Sequence, residues 1–79
     1  MKVRVEVMLR DGVFDPEGEA VRSALGNLGF DGVSGVRQGK VIEFDLQETD
    51  PERAKHTTRE MCEKLLANTV IEQYRIDLV

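Results

Sequence analysis

Twice in this chain a run of alternating apolar and polar residues gives way to Asp-Pro-Glu and then to residues spaced three and four apart. The first run is Met1 to Leu9, where Val3, Val5, Val7 and Leu9 share one side and Lys2, Arg4, Glu6 and Met8 the other. The second is Lys40 to Gln47, with Ile42, Phe44 and Leu46 inward and Val41, Glu43 and Asp45 outward. A period of two marks a half-buried strand. In Asp15-Pro16-Glu17 and Thr49-Asp50-Pro51-Glu52, an N-cap carboxylate, a proline at the first helical position and acid in the first turn mark helix starts.

The first predicted helix carries Val21, Ala24, Leu25 and Leu28 on one stripe and stops at Gly29. Gly18 and Gly26 inside it each cost about 1 kcal/mol against alanine. They read either as tolerated or as places where another backbone comes close. Gly32 to Gly39 reads as a short strand whose bulky apolar side chains are Val33 and Val36, with Gln38-Gly39 as a tight hairpin turn. A second helix is expected from Pro51 to about Ala67, burying Ala54, Thr58, Met61, Leu65, Cys62 and Leu66. Asn68 is its expected stop in the left-handed conformation. A last strand runs from Val70, with Val70, Tyr74, Ile76 and Leu78 on one side and Gln73, Arg75 and Asp77 on the other.

The order β-α-β-β-α-β predicts an α+β fold, a four-stranded antiparallel sheet with both helices on one face in ferredoxin-like order 4-1-3-2. The first and third strands take the middle, so Arg4 pairs across strands with Glu43 or Asp45. The last strand lies at an edge without a gatekeeping lysine or proline, and such an edge calls for a partner.

Seventy-nine residues make one domain. A chain this short buries only about 60–65% of the surface its unfolded form exposes. One cysteine excludes an internal disulfide, and Cys62 with His56 is too little for a structural zinc, which leaves self-association as the favoured supplement. A formal net charge of −4 argues against nucleic acid as the main partner. No long apolar run suggests a membrane span, the N-terminal pattern is too intermittent for a signal peptide, and the free thiol fits the reducing cytoplasm.

The usual catalytic spacings are missing: no phosphate-cradling GxxxxGK[ST], no HExxH or CxxC, no GxSxG. His56 reads as a solvated helix residue, Cys62 as a buried structural thiol, and Glu43 with Asp45 as a solvent-facing strand pair rather than a carboxylate dyad. Glycines 26, 29, 32 and 35 read as punctuation and not as a nucleotide clamp. The open sheet face lacks the aromatic rings on which RNA-recognition domains stack bases. Arg37 and Lys40 form the one basic cluster at a loop tip, either a partner contact or a soluble turn.

Three stretches carry a resemblance over essentially the whole chain. They are Phe14-Asp15-Pro16 followed by Gly18 and Ala20-Val21; Val36-Arg37-Gln38-Gly39-Lys40 followed by Glu43; and Met61-Cys62-Glu63-Lys64-Leu65-Leu66-Ala67-Asn68-Thr69-Val70-Ile71-Glu72 with Tyr74. With these the chain resembles PurS, the small subunit of bacterial phosphoribosylformylglycinamidine (FGAM) synthase, the last stretch being the specific one. Phe14 departs from the family's usual pattern, which is an aliphatic residue at that position.

The resemblance implies a non-catalytic subunit of purine biosynthesis whose dimer joins the PurL synthetase to the PurQ glutaminase and assists ammonia transfer between them. The complex amidates formylglycinamide ribonucleotide with ATP and glutamine-derived ammonia; ATP and magnesium belong to the large subunit, and this chain is expected to bind no cofactor or metal. On this reading Arg37, Gly39, Lys40, Asn68, Thr69 and Glu72 are the expected partner contacts. Tyr74, Ile76 and Leu78 form the expected dimer edge, with a dimer of dimers as a further state. The rival readings are a stand-alone regulatory module binding a metabolite at a dimer interface, and an enzyme with Cys62 as nucleophile.

Overall fold

The computed structural model describes residues 1–79. Strand β1 (Lys2–Leu9) is followed by helix α1 (Pro16–Asn27), strand β2 (Lys40–Asp45), helix α2 (Pro51–Met61) running on into a π-helical turn (Cys62–Leu66), and strand β3 (Glu72–Leu78). The class is α+β, with two helices and an antiparallel sheet of three strands in the order β2-β1-β3.

Both Asp-Pro starts behave as their chemistry dictates. The Asp15 carboxylate accepts from the Gly18 amide at 2.8 Å, and Asp50 accepts from Glu52 at 3.0 Å. Each proline sits where a helix has no use for an N–H.

The alternation in β1 sets the register. Val5 lies opposite Ile42 on one side and Ile76 on the other, and Val3 lies opposite Phe44 and Leu78. Val3, Val5 and Val7 are fully buried and join Cys62 and Ala67 in the core, with Tyr74, Ile76, Leu78, Leu66, Ile42, Phe44 and Leu46 around them. The other face is charged: Lys2 pairs with Glu43 at 3.7 Å and Arg75 with Glu6 at 3.0 Å. Arg4 lies across from Glu43 as expected, though its own ion pair is with Glu6 at 3.7 Å.

Three expectations fail, each for a physical reason. The stretch Gly32 to Gly39 is not a strand and Gln38-Gly39 is not a hairpin. No backbone hydrogen bond links residues 31–37 to the rest of the chain, so β2 becomes an edge and only β1 lies between two strands. Nor do both helices cover one face. Helix α2 lies over β3, but no strand or helix packs along α1, and the molecule extends to 49 × 24 × 15 Å. Its radius of gyration is 15.9 Å, against about 12 Å for a compact chain of this length.

The third failure is the end of α2. The Ala67 amide donates to the Cys62 carbonyl at 3.1 Å, a bond five residues back that widens the last turn. The wider turn keeps Leu66 on the face that Thr58 and Cys62 define and carries Leu65 off it, to 83% exposure. Asn68 does not adopt the left-handed conformation; Ala67 breaks the helix in an extended one, and Asn68 acts through hydrogen bonds instead. Val70 sits exposed in the turn, and the strand begins at Glu72.

Candidate partner interface

Most of the residues expected to contact partners meet at one end of the sheet, around the end of β1. Arg10 continues that strand, and its amide donates to the Ile71 carbonyl at 2.8 Å. Its guanidinium reaches the Thr69 carbonyl with Nε at 3.1 Å and Nη2 at 2.9 Å. The turn from Asn68 to Glu72 is thereby fixed to the loop between β1 and α1. The turn also closes on itself. The Asn68 amide donates to Glu72 Oε1 at 2.7 Å, and the Asn68 carbonyl accepts from Ile71 and Glu72 at 3.0 and 2.7 Å.

Arg37 is bound differently from the hairpin tip that the sequence suggests. Its guanidinium donates to the carbonyls of Leu9 and Arg10 at 3.0 Å each and of Val13 at 3.2 Å. The last residue of β1 and the loop after it hold three carbonyls without helix or ladder partners, and a planar fork of donors gathers them. The neighbouring Gln38 amide donates to Asp15 Oδ2 at 2.8 Å, so Asp15 caps α1 and holds the returning chain at once. These two amides, from Gln38 first and Gly18 second, hold its carboxyl below the usual aspartate range.

Two glycines mark close approaches here. A Cβ on Gly18 would strike the Val36 carbonyl oxygen, and one on Gly39 would strike the Val7 carbonyl and the Met8 side chain. The cost of Gly18 in the helix thus has a reason; nothing within the chain explains Gly26, which faces open space.

Gly39, Lys40 and Glu72 line a cleft of about 440 Å³ together with Phe14, Asp15, Gln38 and Ile71. Phe14, the departure from the family pattern, is 72% exposed on its rim. Lys40 is exposed and makes no ion pair within the chain. Sequence reasoning passed over Arg10 and Asp15 as tethers, because no spacing announces a bond between residues 59 or 23 positions apart. Tyr74, Ile76 and Leu78 lie on the edge strand, but their side chains turn inward, against their own core. The Tyr74 hydroxyl donates to Glu63 Oε2 at 2.8 Å; burial first and that carboxylate second push its pKa up.

The residues with reactive side chains lie apart from this cleft. Cys62 is fully buried in the core, where burial foremost and Glu63 next push the thiol up, the reverse of what a nucleophile needs. His56 bonds Glu60 at 2.8 Å on the exposed side of α2. No three His, Cys, Asp or Glu side chains come together as a metal site, and no helix is long and apolar enough to cross a membrane.

A small α+β domain is what the fold defines, with a braced cleft rimmed by Phe14 beside an arm of exposed apolar residues. Comparison with known proteins makes this specific. The family model PurS, phosphoribosylformylglycinamidine (FGAM) synthase, matches residues 2–79. The chain is 51% identical over 75 residues to the PurS subunit of phosphoribosylformylglycinamidine synthase from a Synechocystis strain, covering 95% of this chain and 75% of that one. Among solved structures, Bacillus subtilis PurS is similar at 46% identity and a TM-score of 0.86, covering 96% and 94% of the two chains. A chain of PurLQS from Thermotoga maritima is similar at 31% identity and a TM-score of 0.88, covering 99% and 95%. This chain belongs to the PurS family, the small subunit of FGAM synthase.

Proposed function

We propose that the chain is the non-catalytic bridging subunit of a cytoplasmic FGAM synthase, acting as a homodimer that joins a PurL synthetase to a PurQ glutaminase. In that complex formylglycinamide ribonucleotide is amidated with ATP and glutamine-derived ammonia, and the bridge assists transfer of the ammonia. ATP and magnesium sit on the large subunit, and this chain holds neither. The observation that carries the reading is the likeness along 99% of the chain to a member of the Thermotoga maritima PurLQS structure. The cleft supports it too, since a rim of Phe14, Lys40 and Ile71 over a braced floor suits a docking loop better than a reacting substrate.

Within that reading Gly39, Lys40, Asn68, Thr69 and Glu72 contact the other subunits. Arg37 shapes the surface from behind, because its guanidinium is already held by three carbonyls of its own chain. The test is size exclusion with light scattering, on this chain mixed with PurL and PurQ from the same genome, with ADP, magnesium and glutamine present. One complex containing dimers of this chain is expected, and Lys40→Glu weakens it roughly tenfold, about 1.4 kcal/mol, while leaving the dimer intact. If active, nucleotide-bound PurL and PurQ leave this chain eluting alone, the reading fails.

A further inference from the structure

Phe14 joins a free side chain to a held backbone. Its ring is 72% exposed on the rim of the cleft, while the residues on either side are tied to distant parts of the chain. Before it, the Val13 carbonyl accepts from Arg37 Nη1 at 3.2 Å and the Val13 amide donates to the Arg10 carbonyl at 3.1 Å. After it, the two carboxylate oxygens of Asp15 accept from the Gly18 and Gln38 amides at 2.8 Å each, and its carbonyl accepts from Glu19 at 3.0 Å. Pro16 then fixes the next φ.

Connecting loops are as a rule the mobile parts of a fold. This one is held by a guanidinium fork and a carboxylate, and Gly18 lies so close to the Val36 carbonyl that no Cβ fits between them. None of the residues so tied belongs to the hydrophobic core. What the bonds fix is therefore the place from which the Phe14 ring projects. The charges around the ring are also uneven. Glu17 accepts from Gln38 Nε2 at 2.9 Å and Glu72 from the Asn68 amide at 2.7 Å, so these acids are engaged, whereas Lys40 on the same cleft makes no ion pair.

We infer that Phe14 is a pre-organised anchor for an apolar pocket on a neighbouring enzyme subunit, that a carboxylate beside the pocket meets Lys40, and that Arg37 and Asp15 are positioning residues acting through the ring. Binding energy concentrates in aromatic side chains that fill a desolvated pocket. An anchor already held in its bound orientation loses little freedom on docking, so the bonds that hold it appear as affinity. The planar fork of Arg37 is essential to this, because a lysine keeps the charge but presents its donors from a single nitrogen on a flexible stem. This inference rests on the bridging role of the proposed function and says which side chain carries the contact.

The test is a double-mutant cycle on the full chain, read as the Kd for PurL and PurQ from the same genome with ADP, magnesium and glutamine present. Phe14→Ala is expected to weaken binding roughly 30-fold and Arg37→Lys roughly tenfold, with circular dichroism and the dimer as in wild type. In the Phe14→Ala background, Arg37→Lys should change the Kd less than about twofold, because the ring it positions is gone. A second reading needs no binding: by NMR the Phe14 amide of the wild type should be as ordered as β1, with an order parameter of about 0.85, and should fall below about 0.6 in Arg37→Lys. Additive losses, or a Phe14 amide already mobile in the wild type, overturn the positioning role. A Phe14→Ala chain that binds like wild type, or whose loss shows in the dimer instead of the complex, overturns the anchor. In each of these cases the bridging role stands; a wild-type chain that joins neither PurL nor PurQ overturns both.

Discussion

The two helices begin alike and end up in different surroundings. Each opens with Asp, Pro and Glu, each has its N-cap bond made, and each carries an apolar stripe. Helix α2 and the π-helical turn after it set Ala54, Thr58 and Cys62 against the sheet at 0% exposure, while α1 and its C-cap set larger residues, Val21 and Leu28, in solvent. Small side chains on α2 let the helix come close to the β-branched floor of β1, and a dense core results. Capping decides where a helix starts; it does not decide what the helix lies on, because most helical stability in proteins comes from packing of the apolar face. The closed half carries the core, and the open half leaves its apolar residues in solvent.

Matched truncations break this comparison most directly. Val5→Ala in the middle strand should cost about 2–3 kcal/mol in urea unfolding, from lost methyl burial plus a cavity. Val21→Ala on the arm should change the dilute monomer by less than about 0.5 kcal/mol. Equal losses would mean that α1 packs on its own sheet.

A smaller effect tests the fastening of the arm. The carboxyl of Asp15 is held below its ordinary value by the Gln38 and Gly18 amides, so its ionised form favours the folded state. That contribution is complete above the unfolded pKa of about 3.9 and disappears as pH falls through the lower folded value. Wild type should therefore exceed Asp15→Asn in stability at neutral pH, with the gap closing in acid. A gap that is constant with pH would remove the carboxylate from the fastening.

The smallest effect sharpens the end of α2. Leu65→Gln should change stability by less than about 0.5 kcal/mol, and Leu66→Gln by more, although a plain helix would bury Leu65. Equal costs in thermal unfolding would remove the π-helical turn.

Much of the closed half was legible beforehand. The valines of β1 and the alternation of Ile42, Phe44 and Leu46 showed their faces, because a strand's side chains alternate whatever lies beside it. Caps at Asp15 and Asp50 and the stop at Gly29, whose φ is 96°, are local chemistry and were read as such. The fate of Leu65 was not, since one bond from Ala67 to Cys62 shifts the phase of the last turn. Around the cleft, the sequence offers the 68–72 turn and Lys40 as contacts, whereas the tethers from Arg10 to Thr69 and from Gln38 to Asp15 have no local signature.

Sequence alone determined the strands β1 and β2, both helix starts, the burial of Cys62 and, chiefly through the stretch Met61 to Glu72, the family resemblance. These follow from interactions within a few residues or from the pattern of the whole chain. Only the tertiary structure decided that residues 32–39 leave the sheet, that Arg37 braces a loop instead of tipping a hairpin, and that α1 stands away from its own strands. Each depends on which distant backbone groups are left without partners, and such an inventory exists only once the chain has folded.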